Sequence, residues 1–499
     1  MKKLVDTVLV AALLMNSIPG LAEDVNSAVA PPPAQTSEMP EGRAPDGQPP
    51  EMPDSQPPMG GPGGMPGGIS SQPEHYSAEN QVLTDAVIQG ETILSDGTDE
   101  NAVHVGGGTL TMTDTAVSRV SADSTGGDSA SFYGVGAAML ATNGTAEVSG
   151  CTIETDAAGG AGLFAYGDGV IRVKDTEITT RQNTSGGVHV AGGGTLTAEN
   201  VTAHTYGESS AAIRSDRGGG VMVVDGGSFT SEGVGSPAVY VTADVTIRDA
   251  ELTATGSEAL CLEGRNAVRL YDCHLTGQMQ DLPQNDNTWT VILYQSMSGD
   301  SAIGKGSFEM TGGTLTSTNG GLFYTTNTES EFILSGVTIE AAEDCEYFLR
   351  CTGNANQRIW GREGSNGATC AFTAIGQELP GDVIWDSVSA LRLYLTSGSV
   401  WTGAARQDES CAGAGGDGYA VINVDESSSW VVTADSVVSE LHCAGTVTDG
   451  EGRSVTIMNP DGSLYVQGDS DITVTTGAYD TACDTSGAGV PSGWEEHAV

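Results

Sequence analysis

Residues 211–276 read AAIRSDRGGG VMVVDGGSFT SEGVGSPAVY VTADVTIRDA ELTATGSEAL CLEGRNAVRL YDCHLT. One short pattern passes through this stretch three times. An apolar residue opens it (Ile213, Val239, Leu260), and a polar or glycine turn follows. A second apolar alternation comes next (Met222-x-Val224, Val245-x-Ile247, Val268-x-Leu270), then a turn residue, then one more apolar residue (Phe229, Leu252, Leu275). Alternation with period two is the signature of a strand with one buried face, and no helical period competes with it.

The pattern extends in both directions. The first apolar residue of the second strand falls at Leu110, Ala146, Ile171, Leu196, Met222, Val245, Val268, Phe308 and Phe332. The spacing is nearly constant, apart from two longer steps, Leu110 to Ala146 and Val268 to Phe308. Four positions after each marker stand Asp114, Gly150, Asp175, Asn200, Gly226, Asp249, Asp272, Gly312 and Gly336. All nine are types that tolerate a left-handed turn. Seven positions after each marker stand Val117, Ile153, Ile178, Ala203, Phe229, Leu252, Leu275, Leu315 and Ile339. A repeat of this length built from strands and glycine turns predicts a solenoid. The expected fold is all-β, a right-handed parallel β-helix of about a dozen coils.

Composition agrees. The 499 residues include 70 glycines and only 5% aromatics, which suits tight turns around a thin aliphatic core. The formal charge of -46 makes nucleic acid and anionic membrane poor partners. Residues 1–22 read as a signal peptide: Lys2 and Lys3, an apolar run from Val8 to Met15, and Gly20-Leu21-Ala22. The run is too short to span a bilayer, and no second apolar segment follows. Residues 23–74, rich in Pro, Gly and Met, read as a disordered tether. Residues 75–340 then form the regular β-helix, with Val82, Val87, Ile93, Val103 and Val105 as the expected core of its entry coil. Residues 341–477 continue as less regular coils, starting with an irregular stretch that holds Cys345, Cys351 and Trp360, and 478–499 read as a tail. The two longer steps place insertions at 119–136 and 277–306, and long loops on a regular scaffold are where function is usually carried.

Nine cysteines in an exported chain permit disulfides, and the odd number leaves at least one thiol free. Cys345 with Cys351, and Cys411 with Cys443, are the candidate pairs. Cys151 and Cys273 share a turn column several coils apart and cannot meet.

The motifs SFYGVGAAMLA, SSAAIRSDRGGG, SPAVYVTADVTI and YQSMSGD, behind a signal peptide and tether, resemble the secreted glycine-rich β-helix proteins of anaerobic gut Firmicutes, which include adhesin-like and carbohydrate-binding-domain proteins. The resemblance covers roughly residues 76–474. It implies export and a β-helix, and it carries no catalytic residues over.

Counting outward positions along the first strand of each coil gives the column His104, Leu140, Phe164, His189, Arg214, Tyr240, Cys261, Leu293 and Phe323. A second column, two places on, holds Gly106, Thr142, Tyr166, Ala191, Asp216, Thr242, Glu263, Gln295 and Thr325. Its centre is charged. Arg214, Asp216, Arg217, Tyr240, Glu263 and Arg265 form the candidate ligand-binding set, expected to bind a polysaccharide or surface glycan at the cell surface or outside the cell. The bland alternative is a set of surface ion pairs among Arg214, Arg217, Arg265, Asp216, Glu263 and Asp244, each contributing about 0–1 kcal/mol. An enzyme reading, polysaccharide lyase or glycoside hydrolase, rests on Asp216 and Glu263, two coils apart. A structural spacer that binds nothing is the third class. No cofactor is expected. Calcium is the one metal considered, through the oxygens of Asp281, Asn285, Asp286 and Asn287, although EF-hand spacing is missing. His104 and His189, three coils apart, read as surface histidines.

Overall fold

The computed structural model describes residues 71–296, 299–356 and 361–498. The signal peptide, nearly all of the tether and Trp360 lie outside them.

Thirteen short strands stack in parallel into one sheet, from Ala78–Val82 to Ala405–Gln407. Each coil supplies one strand to it. The next two runs of each coil enter a second, 25-stranded sheet, and near the C-terminal end a separate four-stranded sheet takes over the third run. All nine sequence markers stack in register, Leu110 on Ala146, Ala146 on Ile171, and so on to Phe308 on Phe332. The nine turn residues that follow them all adopt the left-handed conformation, with φ between 47° and 71°. Asp, Asn or Gly at that corner lets the chain bend between two strands without breaking the ladder on either side. The apolar residues three positions beyond the corner stack as well, Val117 on Ile153 through to Leu315 on Ile339.

The third corner of the coil is held by hydroxyls. Thr155, Thr180, Thr205 and Ser231 each donate to a carbonyl five positions on. Ser210 Oγ accepts from Ser185 N at 2.9 Å, and Ser236 Oγ accepts from Ser210 N at 2.8 Å. These buried polar groups satisfy a backbone that leaves the strand ladder there.

The interior is aliphatic in the early coils and aromatic later. Phe308, Phe323, Phe332, Phe348 and Phe372 pack edge to face or stacked, and Trp401 stacks on Trp430 at 4.4 Å. In the entry coil Val82, Ile93, Val103 and Val105 are buried as expected. Val87 is not; it is 74% exposed, because Ala86 stacks on Leu110 and strand alternation turns Val87 outward. Parallel pairing continues beyond Ile339 through Tyr347–Cys351, Thr369–Ile375, Ala390–Thr396 and Tyr419–Val424. The strand Leu464–Val466 pairs antiparallel with Thr456–Met458.

The segment after Asp480 lies back across the coils as a strap. Gly487 sits against Tyr394, and Gly489 N donates to Thr373 Oγ1 at 2.8 Å. Ser492 donates to Glu309 through both its N and its Oγ, each at 2.8 Å, and its Oγ meets the Tyr271 hydroxyl at 2.9 Å. Trp494 lies 4.3 Å from the Arg248 guanidinium.

Neither candidate disulfide forms. The Cys345 thiol is held at the Tyr347 carbonyl, 3.3 Å away, where strand Tyr347–Cys351 begins. That strand is extended and carries Cys351 about 13 Å further on, beyond bridging distance. Cys351 instead lies against Cys370 of the strand that follows in the same coil. Cys411 sits beside Ser410, near Arg350 and Asp408, while Cys443 neighbours Cys483 of the strap.

Candidate functional site

The outward column of the first sheet runs His104, Leu140, Phe164, His189, Arg214, Tyr240, Cys261, as read from the sequence. It then continues through Ile292 and Tyr324 rather than Leu293 and Phe323. The longer coil between Val268 and Phe308 shifts the count by one, and a one-position slip exchanges the faces of a strand. Leu293 and Phe323 are therefore core residues, and Tyr294, not Gln295, stands beside Glu263.

The charged centre is not an open surface. The first insertion folds as a short helix, α1 (Gly127–Tyr133), closed by left-handed Gly134. It lies over the column of Arg214, while the second insertion brings Ser296 and Asp300 to the other side. Arg217 joins the two. Its guanidinium stacks 4.1 Å from the Phe132 ring of α1 and bonds Asp300 at 2.7 and 3.1 Å. Between the insertions lies a cleft of about 390 Å³, walled by Phe132, Arg214, Asp216, Tyr240, Glu258 and Tyr294 among others.

Arg214 is buried. It bonds Asp216 Oδ2 at 2.7 Å, Ser131 Oγ at 3.0 Å and the Ser209 carbonyl. Asp216, 4% exposed, also has the His189 Nε2 at 2.9 Å. Burial by itself would raise the Asp216 carboxyl; Arg214 and His189 overcome that and hold it below its ordinary value. His189 is pushed down to about 4 by burial, against the pull of Asp216. The histidines are thus not surface groups: His189 is 1% exposed and packs on Phe164, and His104 is buried between Gln81 and Thr142.

Glu263 is the second centre. It accepts from Tyr240 at 3.0 Å, from Tyr294 at 3.2 Å and from Ser296. Burial and the nearby Asp300 raise its carboxyl, against those donors. Burial and Glu263 in turn raise both tyrosines well above their ordinary values.

Of the candidate set, Arg214, Asp216 and Tyr240 line the cleft, Glu263 lies behind the tyrosines, and Arg217 pins its walls. Arg265 is exposed, packs against Gly304 and stays outside. The anticipated surface ion pairs are rearranged: Arg214–Asp216 forms but is buried, Asp244 pairs with Arg269, and Arg217 takes Asp300. Phe132, Glu258, Tyr294 and Asp300 were not singled out in the sequence. The two longer steps located the insertions but could not say that both fold onto one face.

In the proposed calcium loop, Asp286 accepts from Ala355 N at 3.0 Å and Asn287 accepts from the Tyr347 hydroxyl at 2.5 Å. Among the described residues no group of three or more His, Cys, Asp or Glu side chains is placed to hold a metal ion. No helix among them is long and apolar enough to cross a membrane.

Residues 132–290 match the family model described as a right handed beta helix region. The solenoid is a right-handed parallel β-helix. The match covers the regular coils from α1 to the second insertion, so it includes most of the cleft. No curated protein and no solved structure matches the chain.

Proposed function

We propose that this β-helix is an exported binding protein that recognises glycan, and that the glycan lies in the cleft between the two insertions. One observation carries the reading. Two segments far apart in the chain fold onto the same three coils and enclose aromatic rings beside fixed carboxylates and a guanidinium. Saccharide recognition needs that combination: flat apolar faces for the pyranose rings, and convergent polar groups to fix the hydroxyls. At about 390 Å³ the cleft has room for a short oligosaccharide, and it is braced by Arg217 rather than left to loops.

The test is retention of the mature chain on a panel of polysaccharides, with Phe132→Ala alongside. Phe132 is the α1 side chain under Arg217, and its loss loosens one wall without touching the interior. Retention that falls at least about tenfold in the variant is the expected result. Equal retention by both proteins, or none on any glycan, refutes the reading.

A second reading, cleavage of a glycosidic bond, has one observation in its favour. Asp216 and Glu263 stand two coil steps apart, about 9–10 Å between backbones, with their carboxyls displaced in opposite directions. Acid–base pairs are built this way, but both carboxylates are buried and bonded to neighbouring side chains, so binding leads. Release of reducing ends or unsaturated products in the same panel, lost in Glu263→Gln, would establish the enzyme instead.

A further inference from the structure

The charge inside the cleft is uneven. Four carboxylates, Asp128, Asp216, Glu258 and Asp300, line it against one guanidinium, Arg214. Arg214 is neutralised by Asp216, and Asp300 by Arg217. Asp128 and Glu258 remain, and neither has an ion-pair partner among the described residues. Glu258 is the informative one. It is 8% exposed, its carboxylate accepts from Ser257 Oγ at 2.5 Å, and it faces the cleft near Tyr294. A carboxylate this deep ordinarily has a cation beside it.

Register places it. Arg214 stacks on Tyr240 and Tyr240 on Cys261, so the strand that Glu258 precedes is two coil steps from that of Arg214, about 10 Å away. The cleft therefore has a guanidinium end, its charge already met by Asp216, and an acidic end beside the rings of Tyr240 and Tyr294. Aromatic faces add to the attraction for a cation. The field of the whole chain, at -46, has the same sign.

We propose that the ligand is a saccharide carrying a free, protonated amine, a de-N-acetylated amino sugar, and that Glu258 receives the ammonium. The proposal rests on the glycan reading of the cleft. It runs against uronic acids and sulfated sugars, because each guanidinium in the site is already paired with a carboxylate.

The experiment is calorimetric titration, at mildly acidic pH and physiological salt, with three oligosaccharides of matched length: glucosamine, N-acetylglucosamine and galacturonate oligomers. The expected result is that the glucosamine oligomer binds at least about tenfold more tightly than its acetylated form. Glu258→Gln should remove most of that preference, with the glucosamine oligomer falling to about the affinity of its acetylated form. Asp128→Asn, at an exposed position of α1, gives a second variant whose folding is not at issue, with a smaller loss of about two- to threefold. A preference unchanged in both variants would assign it to the general acidity of the surface and overturn the proposal. So would equal or tighter binding of the acetylated or uronate oligomer; if that binding is lost in Phe132→Ala, the glycan reading survives alone. Binding of none of the three overturns the proposal, and the polysaccharide panel then decides the glycan reading.

Discussion

Replacing Arg214 by Met keeps the length of the side chain and removes its charge and its three bonds. What remains is Asp216, 4% exposed, with only His189 close by. Breaking a buried ion pair from one side costs about 3–5 kcal/mol, because the other charge is left unmet in a poor dielectric. Arg214 also ties α1 down through Ser131, so the loss should be felt in the insertion as well. A solenoid unfolds in neighbouring units, so the cost should be local. Native-state hydrogen exchange is the assay. Amides of Val188–Ala191 and Ile213–Ser215 should lose protection, while those of Ala390–Thr396 keep theirs. The control is the double variant Arg214→Met/Asp216→Leu. Removing the stranded carboxylate should restore about 2 kcal/mol or more, since an apolar replacement of a whole buried pair is often neutral. A double variant no more stable than Arg214→Met, or a single variant within about 1 kcal/mol of the parent, would refute the argument that Arg214 is held by Asp216.

The same network predicts an acid response. The folded-state value for His189 is pushed down to about 4, so the unfolded chain binds a proton first. Stability from that residue is full above about 6.5 and is lost as pH falls toward 4, by at most ~3 kcal/mol. The depressed Asp216 adds a further loss below the ordinary carboxylate range, while the raised Glu263 acts in the opposite sense. Urea denaturation of His189→Phe between those limits should show the slope flattened; an unchanged slope would remove His189 from the account. Truncation after Asp484 uncovers Thr373, Ile333 and Glu309. Exchange should then quicken in Lys305–Thr311, Glu329–Ser335 and Thr369–Ile375 and stay unchanged in Asn101–Val105; uniform quickening would mean the strap is not a local clamp.

The coil was legible because its determinants are local and repeated. Asp114 or Gly150 at a corner needs only its own φ, and Leu110 over Ala146 needs only alternation. The site was legible in part. Arg214, Asp216, Tyr240 and Glu263 could be placed on one face by counting, since the coils between them keep the ordinary length of the repeat. Counting failed at Leu293, where a coil of irregular length intervenes and a single position decides which face is shown. It also could not reveal burial. Reading His189 and Asp216 as surface groups assumed that outward means solvent, and α1 and the second insertion cover that face. Long-range docking of an insertion leaves no period in the sequence, and neither does a strap.

The strap measures the molecule. From Gly487 on Tyr394 to Trp494 on Arg248 it advances seven positions, about 23 Å of extended chain. Over the same distance the helix climbs five coil steps, from Ala390–Thr396 down to Asp244–Arg248, about 24 Å. The two lengths agree to within one coil step. Solenoids ordinarily grow and shrink by whole repeats, since each coil knows only its neighbours. Here a coil duplicated between Arg248 and Tyr394 would leave the strap too short, and Trp494 could no longer reach its cation. A coil duplicated before Arg248 would leave the reach of the strap unchanged, though between α1 and Arg214 it would part Ser131 from Arg214. The strap thus acts as a gauge of the coil number between Arg248 and Tyr394.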